Sequence, residues 1–90
     1  MLSQTQREDL RFAVREQLVA AQTVALTSDM LMRRVQRARV IDFEFTALDV
    51  FESVTFLVGL NYAKEQPAQL GATKYYQATA AGVLAHERGQ

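Results

Sequence analysis

The sequence has no cysteine, one proline and four glycines, and these shortages exclude several kinds of site. Without cysteine the chain can form neither a disulfide nor a thiolate metal site, and it has no thiol nucleophile. Pro67 is the only proline, and all four glycines lie at or after Gly59. The residues that most often interrupt regular structure are therefore confined to the chain from residue 59 onward, where turns and loops are expected.

Long apolar runs and targeting patterns are also missing. No run approaches the roughly 20 apolar residues of a membrane-spanning helix, and no basic stretch is followed by an apolar segment, as in a signal peptide. The 90 residues, of which 49% are hydrophobic, suffice for one core. We therefore expect a single cytoplasmic domain over residues 1–90, with no membrane partner.

The chain also lacks a charge excess and any recognisable catalytic group. Ten basic residues balance ten acidic ones, whereas DNA-binding domains usually carry a basic excess because phosphate neutralisation supplies much of their affinity. His86 is the only histidine and is expected to be an exposed residue of the terminal helix rather than a general base. Asp42 and Glu44 have no histidine, cysteine or third acid nearby. No phosphate-binding glycine loop is present. We expect no enzyme, no cofactor and no metal site.

Start signals and apolar spacing predict four helices. The first is expected over residues 6–22 behind a capping box of Thr5 and Glu8, and the second over residues 28–38 behind Thr27. The third is expected to begin at Thr46 and to end at Gly59 in a left-handed cap, and its apolar face is expected to comprise Val50, Phe51, Val54, Leu57 and Val58. The last is expected over residues 80–88 behind Thr79, with a glycine at position 82 that permits close approach of another element.

Extended segments are predicted between and after these helices. Residues 23–26 could form a short strand. Residues 40–45 alternate, which indicates a half-buried segment with Ile41, Phe43 and Phe45 on the inner side. Residues 60–63 and 75–78 are expected to pair as an antiparallel hairpin, and Pro67 and Gly71 lie in the polar connection between them.

The order of these elements resembles a winged helix-turn-helix domain. The residues that carry the resemblance are Leu57, Gly59, Leu60, Tyr75, Tyr76, Thr79 and Gly82. The chain is similar to small bacterial or phage-type transcription-regulator modules. The resemblance implies an α+β fold with a three-helix core, a two- or three-stranded β-wing and a short C-terminal helix.

Such modules place the third helix in the major groove and the wing on the DNA backbone or in the minor groove. The resemblance therefore implies double-stranded DNA as a partner, and the basic residues available for it lie on the second helix and the wing: Arg33, Arg34, Arg37, Arg39, Lys64 and Lys74. The outward positions of the third helix, however, include no arginine, lysine, asparagine or glutamine. The positions expected to face outward are Ala47, Leu48, Asp49, Glu52, Ser53, Thr55 and Phe56.

Two functions remain open at this point. The chain is either a DNA-binding, transcription-regulator-like module, or a winged helix that binds a protein partner or a second copy of itself. The second hypothesis uses Leu48 and Phe56 as exposed interface residues.

Two further groups have a structural and a functional interpretation. Arg7, Arg11 and Arg15 repeat every four residues, which favours a solvated stripe balanced by Glu8 and Glu16, with contact to a phosphate or an acidic partner as the alternative. The three tyrosines could stack on bases. Residues on a wing strand more often pack one ring inward and expose the next, so a structural role is expected first.

Overall fold

Three helices precede a β-hairpin and a fourth helix in the computed structural model of the protein. The structure describes residues 1–67, 71 and 73–89. The elements are α1 (Gln4–Ala21), α2 (Ser28–Ala38), α3 (Ala47–Gly59), β1 (Ala63–Pro67), β2 (Lys74–Ala78) and α4 (Ala80–Glu87). This is an α+β winged-helix arrangement, as the order of the sequence signals predicted.

The first helix begins two residues earlier than predicted. Its N-cap is Ser3, whose hydroxyl accepts a hydrogen bond from the Gln6 backbone N–H at 3.1 Å. The Gln6 side chain accepts in return from the Ser3 backbone N–H at 2.9 Å. A Ser-x-x-Gln capping box thus replaces the predicted box of Thr5 and Glu8, because glutamine satisfies the cap N–H as well as glutamate does.

The other three predicted N-caps are confirmed. The hydroxyls of Thr27, Thr46 and Thr79 each accept a hydrogen bond from the backbone N–H three residues ahead. Asp49 completes a capping box on α3, since its Oδ2 accepts from the Thr46 backbone N–H at 2.8 Å. Each cap satisfies an N–H group that has no partner inside its helix, which fixes where α2, α3 and α4 begin.

Helix α3 ends at Gly59, as predicted, but the conformation of the turn that follows differs from the prediction. Gly59 is the last helical residue and does not take a positive φ; the left-handed conformation falls on Asn61, with φ of 63°. Asparagine is one of the few residues other than glycine that adopt this region readily. The turn therefore continues two residues further, and β1 begins at Ala63 rather than at Leu60.

The wing is a two-stranded antiparallel sheet with one additional bridge. Ala63 lies opposite Ala78, and Glu65 lies opposite Tyr76. Leu26 and Tyr76 each donate a backbone N–H to the other's carbonyl oxygen at 2.8 Å. The strand predicted over residues 23–26 is thus reduced to a single bridge at Leu26.

The core lies between the three helices and the inner side of the wing. The buried apolar side chains that form this core are Leu10, Ala13, Val14, Leu18, Leu26, Leu31, Val35, Val50, Val54, Leu57, Ala63 and Tyr76. Burying a leucine or valine in this way contributes roughly 1.5–3 kcal/mol. The segment between α2 and α3 adds to this core. Ile41, Phe43 and Phe45 are half-buried against it, which confirms the predicted alternation, although the segment forms no strand.

Helix α4 packs closely on the chain that leaves α3. A Cβ atom built on Gly82 would lie 2.1 Å from the Tyr62 carbonyl oxygen. The same oxygen accepts a hydrogen bond from the Thr79 backbone N–H at 3.2 Å. The predicted close approach at Gly82 is therefore confirmed, and the backbone that α4 approaches there is that of Tyr62. Within the described ranges, no helix is long and apolar enough to cross a membrane.

Candidate functional site

The solvent side of α3 is largely apolar. We call it the α3 face and define it by Leu48, Phe51, Glu52, Thr55 and Phe56, all of which are exposed. The exposed fractions of Leu48, Phe51 and Phe56 are 62%, 42% and 41%. Exposed rings of this size on a helix are typical of contact surfaces for other molecules.

Two residues of α3 lie on the opposite side from the one predicted. Ser53 was expected to face outward, but it is buried and its hydroxyl donates to the Asp49 carbonyl oxygen at 2.9 Å. Phe51 was expected in the core, but it is exposed because the buried stripe follows Val50, Val54 and Leu57. Asp49 is half-buried and its carboxylate is engaged in capping.

The arginine cluster on α2 lies at the protein surface. Arg33, Arg37 and Arg39 are exposed and Arg34 is half-buried, while the neighbouring Val35 is in the core. None of the four guanidinium groups forms an ion pair with a carboxylate of the described residues. The four predicted DNA contacts on α2 therefore remain available for an anionic partner.

The two lysines of the wing do not form one basic surface. Lys74 Nζ lies 3.0 Å from Glu65 Oε1, and the hydrogen bond and negative charge of Glu65 raise the pKa of Lys74. Lys64 is exposed and pairs with Gln77, whereas Lys74 pairs with Pro67. Since neighbouring positions of a strand point to opposite faces, the two lysines lie on different sides of the hairpin. One of them is already compensated by a carboxylate.

The arginines of α1 contradict the prediction of a solvated stripe. Arg15 is only 6% exposed, and Arg7 and Arg11 are half-buried. The Arg11 Cζ lies 3.6 Å from the centroid of the Phe56 ring. Burial follows from helical register: Arg11 and Arg15 precede the buried Leu18 by seven and three residues, so they share its side of the helix. This register was the signal that could have located them.

Arg11 and Arg15 line a cleft between α1 and the C-terminal end of α3. We call it the α1–α3 cleft and define it by Arg11, Phe12, Arg15, Phe56, Leu60 and Tyr62. Its volume is about 420 Å³. The Arg15 Cζ lies 5.2 Å from the Phe12 ring centroid and 5.9 Å from that of Tyr62, so its guanidinium sits among aromatic rings.

The charge of Arg15 has no counterpart in the described part of the chain. Its Nε and Nη2 atoms are buried and have no hydrogen-bond partner there. Glu8 also lines the cleft, but its carboxylate accepts a hydrogen bond from Gln4 Nε2 at 3.1 Å and forms no ion pair with Arg11 or Arg15. Leaving such donors unsatisfied costs roughly 1–3 kcal/mol, and more for a charged group.

The three tyrosines and His86 are all buried or half-buried. Tyr76 is buried in the core, which rules out stacking of its ring on a base. Tyr62 and Tyr75 are half-buried. His86, expected to be exposed, is half-buried instead, with its ring centroid 5.3 Å from that of Phe12. Over the described ranges, no cluster of three or more histidine, aspartate and glutamate side chains could hold a metal ion.

Comparison of the chain with models of known protein families found no match, and neither did a comparison with curated proteins. The interpretation of function therefore rests on the surfaces described above.

Proposed function

We propose that this winged-helix domain is a protein-interaction module whose contact surface is the α3 face. The observation that carries the proposal is the composition of that face. Leu48, Phe51 and Phe56 are exposed on it, and its one charged side chain is Glu52. Aromatic residues are enriched in protein interfaces, and charged residues are depleted from the interface core.

The same face is poorly suited to reading DNA. Bidentate contacts to purine edges are made by arginine, lysine, asparagine and glutamine, and none of these occurs on it. The carboxylate of Glu52 would approach phosphates of like charge. A partner protein can instead bury the exposed rings and pair a basic side chain with Glu52, which lies between Leu48 and Phe56 on the helix surface.

The test is site-specific photocrosslinking in cells of the source organism. A photoreactive side chain at Thr55, within the α3 face, is expected to give a defined adduct with a partner protein or with a second copy. Phe51→Asp should abolish that adduct, because it places a carboxylate in the contact. Val24→Asp is the matched control, since Val24 is also exposed and apolar but lies outside the α3 face. An adduct that survives Phe51→Asp, or the absence of any adduct, would contradict the proposal.

DNA binding through α2 is a second candidate, and it uses a different surface. The observation that favours it is the set of four arginines without ion pairs on or next to one helix, namely Arg33, Arg34, Arg37 and Arg39. Phosphate contacts of this kind supply sequence-independent affinity that falls steeply with salt. In this arrangement α2 contacts the DNA backbone and the α3 face stays available for a protein.

Fluorescence anisotropy with a mixed-sequence duplex at low salt tests this candidate. Replacing Arg33 and Arg37 by alanine is expected to weaken binding to any sequence and to reduce the slope of log K against log salt by roughly two. Arg88→Ala is the control, because it removes an exposed arginine outside the cluster. Failure of the unmodified protein to bind at low salt would rule the candidate out.

A further inference from the structure

We infer that the α1–α3 cleft binds a segment of a partner protein in which a carboxylate side chain lies beside an aromatic or aliphatic one. The inference rests on the proposed function and names the chemistry of the partner. It also adds a second point of contact, next to the α3 face and sharing Phe56 with it.

The charge in the cleft calls for a carboxylate. Arg15 is only 6% exposed, and its Nε and Nη2 have no hydrogen-bond partner within the described residues. A planar guanidinium offers paired N–H donors whose spacing matches a carboxylate. An entering carboxylate would therefore supply the counter-charge that the chain itself does not place beside Arg15.

Arg11 is arranged to contribute to the same contact. Its guanidinium lies 3.6 Å from the Phe56 ring centroid, and no hydrogen bond of its side chain is found in the described part of the protein. A guanidinium stacked on a ring keeps the N–H groups at its edge available for an acceptor. Stacking thus holds Arg11 at the mouth of the cleft without using its donors.

The apolar walls of the cleft favour an apolar side chain next to that carboxylate in the bound segment. Phe12, Phe56 and Leu60 are between 41% and 48% exposed, although each lines the cleft. A volume of about 420 Å³ lies in the range of sites that take up a small ligand or a few side chains. Covering these side chains with an aromatic or aliphatic group removes apolar surface from water, at roughly 25 cal/mol for each Å².

These features favour an acidic peptide over nucleic acid. A nucleic acid brings many phosphates, whereas the cleft contains two arginines between apolar walls and has the carboxylate of Glu8 at its edge. Glu8 would repel a chain of phosphates more strongly than it would repel one carboxylate. The exposed arginines of α2 offer a polyanion a better surface than this cleft does.

The test uses random peptides displayed on phage and selected on the full chain. Selected peptides are expected to share a glutamate or aspartate next to an aromatic or aliphatic residue. Replacing that acid by its amide should weaken binding at least about tenfold, as expected when a charge-assisted hydrogen bond is lost. Arg15→Met should weaken binding to a similar extent, whereas Arg88→Met, which removes an exposed arginine outside the α2 cluster, should not.

A second readout locates the contact at the arginine itself. The NMR signal of the Arg15 side-chain Nε–H group should shift when the acidic peptide is added, and shift much less with the amide peptide or with inorganic phosphate. A shift with phosphate equal to that with peptide would overturn the assignment to an acidic peptide. So would selected peptides that lack an acid, or that bind Arg15→Met as tightly as the unmodified protein.

These outcomes separate the inference from the proposed function. Peptides that lose affinity with Phe51→Asp but not with Arg15→Met would leave the α3 face as an interaction surface and reject the cleft. Loss of peptide affinity with Arg15→Met but not with Phe51→Asp would support the cleft as the binding site and count against the α3 face. An adduct at Thr55 together with a selection that yields no acidic peptide would likewise retain the first proposal and reject the second.

Discussion

The two groups of arginines in this protein have the same chemistry and opposite surroundings. Those of α1 (Arg7, Arg11 and Arg15) are half-buried or buried, two of them next to aromatic rings. Those on α2 and at its end (Arg33, Arg34, Arg37 and Arg39) are mostly exposed. Neither group forms an ion pair among the residues that the structure describes. The contrast shows that spacing between like charges says less about their role than their position relative to the buried stripe does.

The two groups of arginines also differ in their expected effect on the stability of the fold. An exposed arginine keeps its hydration and costs the fold little, so the α2 group can change its partner without affecting stability. A buried guanidinium without acceptors has lost hydration and gained only contacts with rings, which offset part of that loss. Arg15 is therefore expected to destabilise the free domain. Destabilising groups that persist in a fold often occur at functional sites.

The largest effect on stability is expected from Gly82→Ala. This substitution alters the surroundings of the arginines on α1 and leaves those on α2 unchanged. The new Cβ would lie 2.1 Å from the Tyr62 carbonyl oxygen, so α4 or Tyr62 must move, at a cost of about 3 kcal/mol. Tyr62 is one of the rings beside Arg15. Chemical unfolding gives the stability, and Arg side-chain NMR signals should change for Arg15 but not for Arg37.

Gly59→Ala is the matched control for this prediction. Gly59 is helical, and nothing lies within 4 Å of a Cβ built on it. Alanine there is expected to leave stability unchanged or to raise it by up to about 1 kcal/mol. Equal stability of Gly82→Ala and the unmodified protein would show that the close approach of α4 to Tyr62 is not tight.

The next effect tests whether burial separates the two groups of arginines energetically. Arg15→Met keeps the length and apolar stem of the side chain and removes its charge, so the free energy of unfolding should rise by roughly 1–3 kcal/mol. Arg37→Met removes an exposed charge and should change it by less than about 0.5 kcal/mol. Urea unfolding of both variants measures the difference. A destabilised Arg15→Met would mean that the charge is satisfied in solution, and the contrast between the groups would not hold.

A smaller effect is expected from the contact between Arg11 and Phe56. Cation–π contacts contribute about 0.5–1 kcal/mol at exposed sites and more where water is excluded. A double-mutant cycle with Arg11→Met and Phe56→Leu should therefore give a coupling energy of about 1 kcal/mol. The same cycle with Arg37→Met in place of Arg11→Met should give none. Coupling of equal size in both cycles would show that the effect is not specific to the stacked pair.

The smallest effect concerns a basic residue that does have a partner. The Glu65 carboxylate raises the pKa of Lys74 above its usual 10.5, and burial together with Glu65 raises the pKa of Tyr76 above its usual 10.0. Both groups hold their protons more tightly when folded. Their contribution is therefore present below pH 10 and is lost as the pH rises through the folded-state pKa values. Thermal melts should show this alkaline decline, and Glu65→Gln should make it shallower; an unchanged profile would contradict the role of Glu65.

Much of the fold could be predicted from local signals. Thr27, Thr46 and Thr79 were sufficient to place three helix starts, because N-capping depends on residues that are close in sequence. The start of α1 was misplaced because Ser3 and Thr5 each begin a pattern that can cap. The end of α3 at Gly59 was also predicted, but its left-handed residue was placed at Gly59 instead of Asn61, because both residue types adopt that conformation readily.

The candidate site was harder to predict, because it depends on contacts between distant segments. Phe56 was identified as an exposed interface residue from helical spacing, and it is exposed. Arg11 lies over the Phe56 ring because α1 packs against α3. The spacing of residues within α1 gives no information about that packing. The burial of Arg15 follows in part from its register with Leu18, whereas its lack of a carboxylate partner can be seen only in the folded chain.

The bridge between Leu26 and Tyr76 has a consequence for the timing of local opening. Each residue's amide proton is held by the other's carbonyl oxygen at 2.8 Å, so neither can exchange with solvent while the bridge is closed. Detachment of the wing from the α1–α2 connection would release both protons in one event. Hydrogen–deuterium exchange should therefore give these two amides a common opening free energy, although they are separated by two helices in the sequence.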